Sequence, residues 1–267
     1  NVPTTIEKAG ITYDTLKEIN PRLIMLRMPA YGLSGPYKGY RAFGTHVEAM
    51  IGHHYIRGYP DGTPDETGEA FTADAFAGLL GATAITAALR YRDTTGEGQQ
   101  IEMPLAEGFL PNLGEFILDF EMNNRVAGPQ GNTHHSHAPH GVFPTSGDDQ
   151  WIAIDVSEDE EWFSLCEVLG ADTLASDTRF HTQLSRFQNR DFLHDELNKY
   201  TIKHQKFNLF VELQQSGVCA GPVTDDVELL ESPQLIDRGF FEELESPVIG
   251  KHRYPGIMTK WVGTPNS

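Results

Sequence analysis

The chain has 267 residues, of which 39% are hydrophobic and 22% charged; that is enough apolar material for one large domain or two of moderate size, and too much for a disordered chain. A formal net charge of −18 sets it against nucleic acid and anionic membrane surfaces. Its two cysteines, Cys166 and Cys219, form neither a CxxC pair nor a disulfide framework, which fits a reducing cytoplasm.

The N-terminal Asn-Val-Pro-Thr-Thr has no basic region followed by an apolar core, so no signal peptide is expected. No apolar run approaches the ~18–20 residues of a membrane span. Residues 4–19 read as a short helix with a turn, with Leu16 and Ile19 on one face and Asn20-Pro21 as the stop. Leu23-Ile-Met-Leu26 is a short buried strand leading into Pro29 to Pro36, a loop dense in Gly and Pro. A strand followed by such a loop is where α/β proteins commonly place ligands.

Residues 43–56 have helical composition, and Gly58 to Gly68 is loop. The strongest helix covers 75–90. It is apolar all round and rich in small residues, which predicts close packing on every side; Arg90 and Arg92 follow its end, where the helix dipole favours cations. Thr94 to Gly98 is a turn, 100–103 a short strand and 105–122 another helix. We therefore expect a large domain over 1–122.

Residues 123–141 read as a linker ending in a histidine-rich stretch. A small α/β domain is expected over 142–222. It opens on Trp151-Ile-Ala-Ile-Asp-Val156, which alternates like a half-buried strand. Trp162, Leu165, Cys166 and Leu169 share one helical face, and Phe207, Phe210 and Val211 another, with Gly217 as its cap. The tail, 223–267, returns to the large domain. Part of the excess acid lies in Asp148-Asp149 and Glu158 to Glu161, read as a solvated face.

Asp74 stands at the start of the 75–90 helix, after a loop. The partial positive charge and unpaired N–H groups of a helix N-terminus favour its carboxylate form. Two roles are open: an N-cap, or a nucleophile for an activated acyl group. His134, His135, His137 and His140 are dense enough to suggest a metal site. Yet no nearby Cys or short carboxylate completes a familiar zinc pattern, and no metal is expected. Exposed polar loop and substrate contact are the other readings.

The chain resembles the family III CoA-transferases, the group of formyl-CoA transferase and the carnitine–crotonobetaine CoA-transferase. Five segments carry the resemblance in order: Glu18 to Ile24, Tyr31-Gly-Leu-Ser-Gly-Pro-Tyr37, Ala73-Asp-x-x-x-Gly78, Thr95-Gly-Glu-Gly-Gln99 and Gly217 to Val223. Gly131-Asn132 to Gly141, Asn189-Arg190 and Asp237-Arg-Gly239 fit as well. The resemblance implies an α/β fold: an incomplete Rossmann-like large domain plus a small α/β domain, in an interlocked homodimer. It also implies a further N-terminal stretch of the family's large domain, upstream or on a separate chain. Coenzyme A enters as substrate, in an acyl-CoA, and a carboxylic acid is the acceptor.

By that resemblance Asp74 attacks the acyl-CoA, and an aspartyl anhydride and then an aspartyl-CoA thioester follow. Lys8 takes the place of a family arginine that meets CoA phosphate, against the alternative of a surface lysine. Tyr31 matches an aromatic of the active-site loop, against simple packing. The 131–141 stretch matches the loop that covers the aspartate. The lysine two places before Tyr31 in formyl-CoA transferase is Pro29 here, which argues against formyl–oxalate specificity. Two alternatives stand beside transfer. One is a 2-methylacyl-CoA racemase using Asp74 and a histidine near Gly44-Thr45, with His46 close by and Glu48 unassigned. The other is an inactive fragment or CoA-binding subunit.

Overall fold

The computed structural model describes residues 3–68 and 71–263. They fall into two compact units, one up to Gly131 and one from Asn132.

The first unit begins with two short helices, α1 (Pro3–Lys8) and α2 (Tyr13–Ile19), the second capped by the Thr12 hydroxyl, which accepts from Thr15 N–H. Strand β1 (Ile24–Arg27) follows, then α3 (Gly44–Met50), α4 (His53–Ile56) and the long α5 (Thr72–Thr95). Strand β2 (Gln99–Glu102) lies parallel to β1 in the register Ile24↔Gln99 to Arg27↔Glu102. Parallel neighbours need a crossover, and α3, α4 and α5 provide it.

The turn into β2 depends on Gly98. Its N–H donates to Pro21 O at 2.9 Å, and a Cβ there would lie 1.9 Å from the Leu23 carbonyl oxygen. Only glycine fits so close to the foot of β1. Beyond the paired strands, Leu105 N–H donates to Pro29 O and Ala106 N–H to Ala30 O. Leu33 N–H reaches Glu102 Oε1 at 2.6 Å. The loop after β1 is thereby tied to β2 and to α6 (Leu105–Phe109). The continuous helix expected over 105–122 is broken. A 3₁₀ turn holding Pro111 separates α6 from α7 (Gly114–Asn123), because proline has no N–H to give and its ring crowds the preceding turn.

Helix α5 is longer than expected, and it is not covered on every side. Ala73, Ala77, Gly81 and Ala88 are buried. Leu26, Met28 and Met103 press so close to Gly81 that a Cβ would sit 3.0–3.6 Å from them. The other flank carries Leu79, 65% exposed, with Ile85 and Leu89 also open. By length and composition alone α5 is also apolar enough to cross a membrane, which counting uninterrupted apolar runs overlooked.

The second unit is a three-stranded antiparallel sheet with helices packed on it. The order is β3 (His140–Pro144), β4 (Trp151–Asp155), β5 (Cys219–Pro222). Between β4 and β5 come α8 (Asp159–Leu169), α9 (Asp172–Ala175), α10 (Gln183–Gln188), α11 (Arg190–Thr201) and α12 (Lys206–Gln215). Ile152 and Ile154 point into the core with Phe143, Trp162, Leu165, Cys166, Leu193 and Leu197. This is the alternation read from the sequence. Burial pushes the Cys166 thiol up to about 12, so it packs as a hydrophobe.

Two expectations fail in instructive ways. On α12 the core face is Lys206, Leu209 and Leu213 with Phe210 packed beside it, while Phe207 and Val211 are 41% and 47% exposed. The phase is set by Lys206: its Nζ donates to Val223 O at 2.8 Å and meets Glu228 Oε2 at 2.6 Å. The acid run at 158–161 is more than a solvated face. Glu161 accepts from Ser157 and Glu158 N–H, and Asp159 pairs with the buried Arg186 at 2.9 Å. The tail belongs to the second compact unit, and the Lys206–Glu228 pair ties it there. It contains α13 (Asp226–Leu230), α14 (Pro233–Asp237) and the hairpin β6 (Phe241–Ser246)–β7 (Gly250–Pro255).

Candidate active site

Asp74 is the third residue of α5. The residue before the helix, Phe71, is in the left-handed region (φ 47°, ψ 28°), and no side chain there caps the helix. The cap comes from α3. Glu48, with no solvent exposure, accepts from Ala73 N–H at Oε1, 3.0 Å away. Its Oε2 lies 3.0 Å from His53 Nδ1 and 3.7 Å from both His54 Nε2 and Arg57 Nη1. Burial pushes the Glu48 carboxyl up. Hydrogen bonds from Ala73 N–H and His53, the attraction of His53 and a bond from Thr72 N–H outweigh it, and the group sits below the usual carboxylate range.

The Asp74 carboxylate is therefore not the helix cap. It rests on Gly44, the first residue of α3, where a Cβ would lie 2.5 Å from Oδ2 and 2.8 Å from Cγ. Any other residue at 44 would displace it. Asp74 is itself exposed. Beneath it lies an apolar cluster of Val47, Ala73, Ala106, Phe109 and Leu113. Phe76 stands edge-on to Phe109 with centroids 6.0 Å apart, and the His53 ring is 5.0 Å from Phe109. The result is an accessible carboxylate on an apolar floor.

Tyr31 is half-buried and packs against this same cluster. It begins a ladder of rings, edge-on to Tyr37 at 6.2 Å, which stacks on Tyr40 at 5.0 Å. Lys8 is exposed in the last turn of α1 and lies outside the cluster. His46 is turned to the backbone, with Nδ1 accepting from Phe43 N–H at 3.3 Å. The sequence reading left Glu48 unassigned and passed over His53 and Arg57. The signal was there: an acid between Val47 and Ala49 on an apolar helix, with two histidines and an arginine inside the next ten residues.

In the second unit the histidines are engaged with one another, with their own loop and with β4. His134 Nδ1 accepts from His137 N–H at 3.0 Å, so its proton is on Nε2. His137 Nδ1 meets Asp155 at 2.9 Å, and His140 Nδ1 donates to Asn132 O at 2.8 Å. The rings of His135, His137 and His140 lie 4.0, 4.1 and 5.3 Å from that of His134. Burial, then the charges of these neighbours, hold His134 below the usual histidine range, against the opposing pull of Asp155. Among the described residues no group of three or more His, Cys, Asp or Glu side chains is arranged to hold a metal ion.

A family model described as CoA-transferase family III matches residues 1–267. The succinyl-CoA–D-citramalate CoA-transferase of Chloroflexus aurantiacus is 29% identical over 98% of this chain and 65% of its own length. The succinate–glutarate CoA-transferase of Agrobacterium fabrum is 31% identical over 96% of this chain and 64% of its own. The crystal structure of a CAIB/BAIF family protein from Brucella suis aligns with a TM-score of 0.82 at 30% identity, covering 92% of this chain and 64% of that one. The chain thus spans just under two thirds of the length of these relatives.

Proposed function

The chain belongs to CoA-transferase family III, and from that membership we propose that it moves coenzyme A from an acyl-CoA donor to a carboxylic acid, with Asp74 as nucleophile. An Asp74 carboxylate oxygen attacks the thioester carbonyl. The C–S bond breaks, CoA thiolate leaves and an aspartyl anhydride remains. The thiolate attacks the Asp74 carbonyl and expels the donor acid, giving an aspartyl-CoA thioester. The acceptor carboxylate attacks that thioester and releases the thiolate. The thiolate then takes the acceptor's acyl group from the second anhydride and regenerates Asp74. A carboxylate suits this role because an anhydride conserves the thioester's free energy; water would discard it, so the apolar floor matters.

The observation that carries the reading is the Asp74 carboxylate held against Gly44 with its capping duty taken by Glu48. The same geometry disfavours the racemase. The place facing Asp74 is a glycine, and His46 is engaged with Phe43 N–H. The relatives' names pair CoA with succinate, glutarate and citramalate, so dicarboxylic acids head the acceptor panel. Tyr31 is proposed to line the acyl-CoA site and Lys8 to meet a CoA phosphate. We extend the proposal to architecture: β1 and β2 belong to a Rossmann-like sheet with α5 packed beside it, and two copies interlock. The open apolar flank of α5 supports this.

The test is a mass measurement. Incubation with succinyl-CoA should leave an adduct on Asp74, absent from Asp74→Asn. Transfer that persists in the Asn variant overturns the assignment. Exchange of the 2-proton of a 2-methylacyl-CoA with deuterated solvent, without transfer, would point to the racemase.

A further inference from the structure

We infer that Glu48 is the positioning residue of this site: by capping α5 from outside the helix, it leaves the Asp74 carboxylate free for attack. The inference rests on the reading of Asp74 as nucleophile.

The first amides of α5 have no acceptor within the helix. Phe71 cannot supply one, and its left-handed backbone turns the chain away from an ordinary cap. In such a helix the acid at the third position is the natural substitute, since its side chain reaches back to the first amides. That substitute here would be Asp74. A carboxylate that accepts helix N–H bonds is a poorer nucleophile, because the donors that lower its basicity also occupy its lone pairs.

Glu48 removes the competition. Its Oε1 takes Ala73 N–H at 3.0 Å, and Thr72 N–H also stabilises it. The Asp74 carboxylate is left against Gly44, whose missing side chain makes room for it.

The arrangement around Glu48 is more than capping requires. A Ser or Thr before the helix would satisfy the same amide without burying a charge. Burying a carboxylate is costly unless it is paired and hydrogen-bonded. Here His53 and His54 on α4, and Arg57 just after it, converge on Oε2. These three hold the Glu48 side chain in one rotamer, which fixes where α5 begins. The position of Asp74 follows from that start, and 1 Å of displacement is enough to cost a reacting group about a hundredfold in rate.

The experiment compares the parent chain with Glu48→Met, Glu48→Gln and Asp74→Asn, using succinyl-CoA as the probe. Adduct formation at Asp74 is followed by mass against probe concentration. Met matches the length of Glu without an acceptor; Gln keeps an acceptor for Ala73 N–H. We expect Glu48→Met to fold, with its maximal rate of adduct formation reduced about 10- to 100-fold and its half-saturating concentration unchanged within about twofold. Glu48→Gln should recover to within about threefold of the parent.

A Met variant with the parent's maximal rate overturns the inference. So does a Met variant whose loss lies wholly in the half-saturating concentration. A chain that folds only with Gln or Glu at 48 makes this a residue of stability alone, and that too overturns it. A parent without an adduct, or an Asn variant that keeps one, instead overturns the reading of Asp74. The two failures are thus told apart.

Discussion

Gly44 and Asp74 share one small volume, and the chemistry proposed for Asp74 depends on it. A methyl group at 44 would lie 2.5 Å from Oδ2, well inside contact distance, so the carboxylate must swing away. Gly44→Ala should therefore fold with little loss of stability, since the nearest atoms its methyl meets are the movable end of the Asp74 side chain. Its rate of adduct formation should fall at least about tenfold, by the cost of misplacing a reacting group. Thermal melting and the adduct assay together check this; a fully active alanine variant would remove Gly44 from the site. The sequence marked Asp74 through its place before an apolar helix, yet could not decide between cap and nucleophile. The cap comes from Glu48, 26 positions earlier, and no local pattern links the two; the nucleophile is the role proposed. Tyr31, placed by the sequence on the loop after β1, packs against the apolar cluster, and its role there is proposed. Lys8 rested on the resemblance alone, and it lies outside that cluster.

At the scale of elements, the helix starts and strand alternation were readable wherever local chemistry fixed them. β4 buries Ile152 and Ile154, and α8 buries Trp162, Leu165, Cys166 and Leu169, as their spacings require. α12 was read partly off phase: of Phe207, Phe210 and Val211 only Phe210 packs on the core. Its core face includes a lysine, and Lys206 is buried only because Val223 and Glu228, outside the helix, satisfy it. The corrected phase makes a direct prediction. Leu209→Ala should destabilise the second unit by about 2–5 kcal/mol, as core leucines do. Val211→Ala, on the open side, should stay within about 0.5 kcal/mol. Denaturant midpoints of the two variants check this, and equal losses would reject the assigned face. The break at Pro111 was visible in the sequence too, but apolar periodicity on both sides masked it.

For the whole molecule, the two units have separate cores, and the first leaves apolar side chains open on its longer helices. Leu79, Ile85 and Leu89 on α5, and Ile117 and Leu118 on α7, are all exposed. Exposed apolar side chains on two helices are the raw material of an interface. Under the interlocked-dimer proposal, the chain should sediment heavier than its 29.7 kDa monomer at micromolar concentration. Leu79→Glu should shift it toward monomer. A well-folded parent that sediments as a lone monomer would reject that architecture. Composition could not foresee this openness, because an all-round apolar helix reads as buried whatever buries it.

The same helix has a consequence for how a newly made chain is sorted. The uncharged run between Asp74 and Arg90 is 15 residues, 75–89, short of the ~20 that a bilayer core takes. Replacing Asp74 with an uncharged residue extends that run back to Ala70, giving 20 residues, 70–89. One carboxylate at the edge of α5 thus interrupts the uncharged run of a helix whose overall length and composition already suit a membrane, quite apart from the role proposed for it.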